Sequence, residues 1–150
     1  MTTIAWDGQT LAGDKRTSFG GMHATTTKVH RMPIGPYQGA LVAGAGPAVL
    51  IQEMLRWIAT GADPQSFPQS NRTEDKCCCI LVVTPEGRLL YFDNTPDPMT
   101  IENEQWAIGS GRDFAMAAMF LGKDAVEAIV VASALDTGTG NGVDALRLRD

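Results

Sequence analysis

The sequence has only two histidines, His23 and His30, and neither has a second ligand-type residue at helical or hairpin spacing. A zinc site is therefore not expected. With no G-x-S-x-G elbow either, a Ser-His-Asp hydrolase lacks its parts. No apolar run approaches the roughly 18–20 residues a helix needs to span a bilayer, so no membrane partner is expected. The opening MTTIAWDGQT lacks the basic start and apolar stretch of a secretory signal, and the expectation is a cytoplasmic protein. Positive charge is also short. Lys and Arg number 12 against 17 Asp and Glu, a net charge of −5, which argues against nucleic acid as a partner. The three cysteines, Cys77, Cys78 and Cys79, are consecutive, which suits neither a disulfide framework nor a C-x-x-C metal site. They read as small apolar strand residues with side chains alternating between faces. Three G-x-G runs begin at Gly44, Gly109 and Gly138. The third glycine of a dinucleotide fingerprint is replaced in them by Val49, Phe114 and Val143.

What is present describes an ordinary folded protein. The 150 residues are 44% hydrophobic and 19% charged, consistent with one domain spanning 1–150. Sixteen glycines imply many tight turns. Thr2 to Trp6 reads as a strand, Asp7-Gly8 as a hairpin turn, and Leu11 to Asp14 as the return strand. Thr25 to Val29 and Ala40 to Ala43 are further strand candidates. Pro47 suits the first position of a helix with Ile51, Met54, Leu55 and Ile58 on one face and Gly61 as its stop. The stretch from Gly61 to Lys76, rich in Pro, Ser and charge, reads as a loop. Cys77 to Val83 and Arg88 to Phe92 form a second hairpin pattern, and Glu104 to Ile108 a short strand. Gly109-Ser110-Gly111 opens a helix whose apolar face is Phe114, Ala117, Ala118 and Leu121. Asp124 and Glu127 make a capping-box start for a last helix carrying Val126, Ile129 and Val130 and ending near Asp136. Val143 to Leu148 closes as a strand. Helices that cluster, rather than alternate with strands, favour an α+β arrangement of antiparallel sheets over a doubly wound parallel sheet.

A threonine that becomes the first residue needs no histidine. Its own α-amine, with a pKa of about 7.7–8.0, can take the proton of its hydroxyl. Such a site needs a cation beside the hydroxyl, a carboxylate to hold the cation, and backbone N–H groups to receive the oxyanion. Thr2 becomes such a residue if Met1 is removed. Taken singly, each companion has a plain structural role. Asp14 and Asp136 suit turns, Lys28 a solvated strand face, Ser110 a helix N-cap and Gly44 a turn.

Together, five motifs in order carry a resemblance. They are the opening TTIAWDGQTLAGDKRTS with Ala12-Gly13-Asp14, the strand Thr27-Lys28-Val29-His30-Arg31-Met32, and Val42-Ala43-Gly44-Ala45-Gly46. Trp106 to Gly111, containing Ala-Ile-Gly-Ser-Gly, and Asp136-Thr137-Gly138-Thr139-Gly140 complete the set. In these segments the chain resembles the proteasome β-subunit family of N-terminal nucleophile hydrolases, and within it the HslV-type peptidases. The resemblance implies a four-layer αββα sandwich, with two antiparallel sheets between helix layers, and a threonine peptidase without cofactor. It implies Thr2 as nucleophile and base, Lys28 as the adjacent cation and Asp14 as its carboxylate. The N–H of Gly44 would serve the oxyanion, Ser110, Asp136 and Thr139 would support the Thr2 amine, and Val42 would line the first substrate pocket. It further implies peptides or unfolded proteins as substrates, a homo-oligomeric ring, and an ATP-dependent unfoldase as partner. Two other readings stay open at this point, a non-catalytic ring or scaffold subunit and an amidase of the same type acting on small amides.

Overall fold

Asp7 turns the chain at its first hairpin by accepting the N–H groups of Gln9 and Thr10, both at 2.9 Å, with Gly8 at a φ of +101°. That positive φ is the reason a glycine stands there. The turn joins β1 (Thr3–Trp6) to β2 (Thr10–Asp14), in register Ile4 to Gly13 and Trp6 to Leu11. A computed structural model of the chain describes residues 1–71 and 77–149. The predicted loop from Gly61 to Lys76 thus lies partly, at 72–76, outside the described residues.

The chain forms two compact units. The first combines Met1–His30 with Asn103–Asp150, and the second is Arg31–Glu102. The remaining strands are β3 (Arg16–Phe19), β4 (Met22–Thr25), β5 (Val29–Arg31), β6 (Leu41–Ala45), β7 (Cys79–Val83), β8 (Leu89–Phe92), β9 (Met99–Ile101), β10 (Trp106–Gly109) and β11 (Val143–Arg147). The helices are α1 (Ala48–Ala59), α2 (Arg112–Phe120) and α3 (Ala125–Leu135). This is a mixed α and β architecture with antiparallel sheets, as the order of elements predicts.

The first unit holds a four-stranded antiparallel sheet in the order β10-β1-β2-β11, and a separate β3-β4 hairpin. Helices α2 and α3 pack on each other and on β1 and β2. Their shared core is made mostly of alanine: Ala5, Ala12, Ala107, Ala115, Ala118, Ala125 and Ala128, with Met119 and Ile129. Small side chains let helix and sheet backbones approach closely, and the larger apolar residues are turned outward. Phe114, Ala117, Leu121, Val126 and Val130, predicted as inward-facing, are exposed; Ala118 and Ile129 are buried as predicted, and Ala115, Met119, Ala125 and Ala132 are buried where no burial was predicted. The start of α3 is as predicted. Asp124 accepts the Glu127 N–H at 2.8 Å and Glu127 accepts that of Asp124 at 3.1 Å. Caps of this kind contribute about 1 kcal/mol. The free Oδ2 of Asp7 takes the Ala125 N–H at 2.9 Å, tying the hairpin turn to that helix.

The second unit holds β6, β7, β8 and β9, paired in that order. Helix α1 buries Met54, Trp57 and Ile58, while Ile51 and Leu55 are half-buried. Pro47 is its N-cap, one position before the predicted N1. Trp57 meets Phe67 and Phe92 edge-on, with centroids 5.0 and 5.6 Å away. All three cysteines are free thiols, and burial pushes that of Cys78 up to about 12. Three elements departed from expectation. Thr25–Val29 is not one strand, because β4 ends at Thr25 and β5 begins at Val29. Strands β3 and β9 were not anticipated, since β3 shows no apolar alternation and β9 is only three residues long. No helix among the described residues is long and apolar enough to cross a membrane.

Candidate active site

Asp14 ends β2 with its side chain fully buried, and four donors converge on it. Its Oδ1 accepts Lys28 Nζ at 2.8 Å and the Thr3 N–H at 3.1 Å. Its Oδ2 accepts the Gly140 N–H at 3.1 Å and the Arg16 N–H at 3.3 Å. A buried carboxylate is tolerated only with such partners. Asp14 is therefore not a plain turn residue.

Lys28 arrives from the segment between β4 and β5, and its side chain is only 10% exposed. Its ammonium has three hydrogens and three acceptors: Asp14 Oδ1, Thr2 Oγ1 at 3.0 Å and the Met1 carbonyl at 3.1 Å. Burial drives its pKa below the usual lysine value, against Asp14, which raises it; the charge of Arg16 lowers it further. Gly13, next to Asp14, leaves room for the side chains of Ile4 and Val29, which a Cβ there would meet at 2.8 and 2.9 Å.

A second network meets Thr2 from the other side. Ser110 Oγ donates to Asp136 Oδ2 at 2.6 Å and lies 3.4 Å from the Thr2 carbonyl. Thr139 Oγ1 donates to the same carboxylate oxygen at 2.6 Å, so the Thr3 hydroxyl, 2.7 Å from Thr139 Oγ1, is left to donate to it. Burial raises the Asp136 pKa, but hydrogen bonds from Ser110, Thr139 and the Gly138 N–H, with the N-terminal charge, outweigh it and hold the carboxyl below its ordinary value. Asp136 is also the C-cap of α3. Ser110 is not a helix N-cap. That position in α2 belongs to Gly111, without a side-chain bond.

The first unit thus brings together six of the eight residues singled out in the sequence: Thr2, Asp14, Lys28, Ser110, Asp136 and Thr139. Gly44 and Val42 lie on β6 of the second unit, Gly44 opposite Ile80 and Val42 in the core with Met54 and Val82. Thr3 and Gly111 were missed. A Cβ on Gly111 would lie 2.2 Å from Thr3 Oγ1, so that glycine makes room for the hydroxyl chain. The doubled threonine at positions 2 and 3 was the signal available. Among the described residues no group of three or more His, Cys, Asp or Glu could hold a metal ion.

Superposition on solved structures decides the fold. Thiobacillus denitrificans BPH superposes with a TM-score of 0.68 at 17% identity, covering 97% of this chain and 96% of that one. The fold is HslV-like. Eukaryotic HslV from Trypanosoma brucei superposes with a TM-score of 0.66 at 19% identity, covering 97% of each chain. A second structure of BPH, in complex with epoxomicin, matches at 0.68 and 17% over 99% of each chain. No protein-family model and no curated protein matches the sequence. Identities this low make the HslV-like fold the whole of what these likenesses establish. In that fold, the Thr2 hydroxyl sits against a cation whose counter-ion is buried, an arrangement that lowers the cost of forming an alkoxide.

Proposed function

We propose that the chain is a threonine peptidase in which Thr2, once Met1 is removed, is the nucleophile. The observation that carries the reading is the sharing of the Lys28 ammonium between the Thr2 hydroxyl and the buried Asp14. With Met1 attached, the Thr2 nitrogen is an amide and no base. Cleavage of that bond supplies an amine, which takes the hydroxyl proton as Oγ1 attacks a peptide carbonyl carbon. The protonated amine then delivers its proton to the leaving nitrogen, and an ester to Thr2 remains. Water, deprotonated by the same amine, hydrolyses that ester. Ser110, Asp136 and Thr139 hold the amine in place, and the N–H of Gly44 as oxyanion donor rests on the sequence resemblance alone.

The same reading takes the fold as a four-layer αββα sandwich and the working form as a homo-oligomeric cytoplasmic ring acting on peptides or unfolded proteins fed by an ATP-dependent unfoldase. BPH has been captured with epoxomicin, and the same inhibitor provides the test here. Incubated with Met1-free protein and followed by intact mass, epoxomicin should add once per chain, and not at all to Thr2→Ala. Met1-free protein that stays unmodified and does not cleave casein would overturn the proposal and favour a non-catalytic subunit. Light scattering that shows a monomer at micromolar concentration would remove the ring.

A further inference from the structure

Arg16 opens β3 two residues beyond Asp14, and its partly buried side chain reaches the loop that follows α3. Its Nε donates to Asn141 Oδ1 at 3.1 Å and its Nη1 to the Thr137 carbonyl at 2.9 Å. These acceptors flank Thr139 by two residues on either side. Between them the guanidinium lies on Gly140, where a Cβ would come within 2.6 Å of Nη2 and 2.7 Å of Cζ. Asn141 is held at a φ of +65°, and its Nδ2 donates to the Ala24 carbonyl at 3.1 Å and Thr25 Oγ1 at 3.2 Å. Its carboxamide is thus tied at both ends, to β3 through Arg16 and directly to β4.

The loop so held has no regular structure of its own, yet it supplies the Thr139 hydroxyl and the Gly140 N–H that reaches Asp14. We propose that Arg16 is a positioning residue for this site, its guanidinium fork clasping the Thr137–Asn141 loop so that Thr139 meets Asp136 and Thr3 while Gly140 meets Asp14. A planar fork can hold two acceptors in fixed relation, and the point charge of lysine cannot. The backbone N–H of Arg16 bonds Asp14 whatever side chain follows, so substitutions separate the clasp from that contact. The effect on turnover rests on the peptidase reading above, but the placement of the loop does not.

The test compares Arg16→Lys, Arg16→Met and Gly140→Ala, whose methyl displaces the guanidinium, with the unaltered Met1-free protein. Arg16→Lys should lower kcat on a fluorogenic peptide at least tenfold with KM within twofold, and Arg16→Met should do no better. Hydrogen exchange by mass spectrometry should speed up at least tenfold in peptides covering 136–142 and stay unchanged elsewhere. Gly140→Ala should reproduce both effects with Arg16 intact. Wild-type kcat and wild-type exchange in Arg16→Lys would overturn the clasp, since charge alone would then suffice. Faster exchange throughout Met1–His30 and Asn103–Asp150 would also overturn it, by showing a general loss of stability. If the unaltered protein neither turns over peptide nor takes epoxomicin, the peptidase reading fails, and exchange at 136–142 alone decides the clasp.

Discussion

Asp14→Asn keeps the size of the side chain and removes its charge, and the four donors around it make the cost calculable. An asparagine must put its NH2 group where one carboxylate oxygen was. In one orientation that group faces Lys28 Nζ and the Thr3 N–H, and in the other it faces the Gly140 and Arg16 N–H groups. Either way two donors lose their acceptor and the Lys28 ammonium loses its counter-ion. Breaking a buried ion pair from one side costs about 3–5 kcal/mol. Stranded N–H groups add to this, so the upper end, about 5 kcal/mol, applies. At about 2–4 °C per kcal/mol for a chain of this size, the Tm should fall by about 10–20 °C. Lys28→Met leaves Asp14 with three backbone N–H donors and should cost less, about 1.5–3 kcal/mol for one charged hydrogen-bonding partner. The assay is thermal unfolding by circular dichroism at neutral pH and one fixed protein concentration, for both variants and the double variant. If Asp14→Asn melts within about 3 °C of the unaltered protein, Asp14 does not carry the electrostatic burden assigned to it from these geometries.

Three other outcomes follow from the same geometry. Burial lowers the Lys28 pKa below 10.5, so between the lowered value and 10.5 the unfolded chain binds more protons than the folded one. Stability relative to Lys28→Met should therefore rise with pH through that window, read as urea midpoints, and a flat difference would contradict the shift. Ser110→Ala removes a hydrogen bond that lowers the Asp136 pKa, so the carboxyl carbon should titrate at higher pH by NMR. The stability Asp136 contributes above its unfolded pKa, lost as pH falls through the folded value, would then be lost sooner on acidification. Gly109 and Gly122 have similar φ, +99° and +96°, but only at Gly109 would a Cβ strike backbone, 1.9 Å from the Thr2 carbonyl oxygen. Gly122→Ala should cost about 1–3 kcal/mol of backbone strain, and Gly109→Ala about 1–3 kcal/mol beyond that, measured by urea unfolding.

Local chemistry is where the sequence was readable. The Asp7-Gly8 turn and the Asp124–Glu127 capping box depend on residues within a few positions of one another, and both formed as read. Six of the eight named site residues lie together because ordered motifs carried long-range information that no single motif held. The facing of α2 was misread for a physical reason. Hydrophobic size ranks Phe114 and Leu121 above Ala115, but the close approach of helix and sheet selects the smaller side chain. The β3–β4 hairpin escaped notice because its residues are mostly exposed and β3 shows no alternation. Arg16 went unremarked for a related reason. Its partners, Thr137 and Asn141, lie more than a hundred positions away, and an arginine on a polar strand reads as solvated.

The first unit draws its two pieces from opposite sides of the Arg31–Glu102 segment, and this dictates when the site can exist during synthesis. The bonds that complete it span 108 residues from Ser110 to Thr2, 126 from Gly140 to Asp14 and 136 from Thr139 to Thr3. At about 5–20 residues per second, a ribosome needs on the order of ten seconds between making Thr3 and making Thr139. For most of that interval β1 lacks its neighbour β10, throughout it β2 lacks β11, and the Met1–Thr2 bond is on an unfinished chain. Afterwards the Met1 carbonyl is held by Lys28, and its side chain occupies the space beside Gly138. On the peptidase reading, the order of translation leaves Met1 open to an aminopeptidase before these long-range contacts close, and the Ser110, Asp136 and Thr139 side of the site is completed only as the last residues are made.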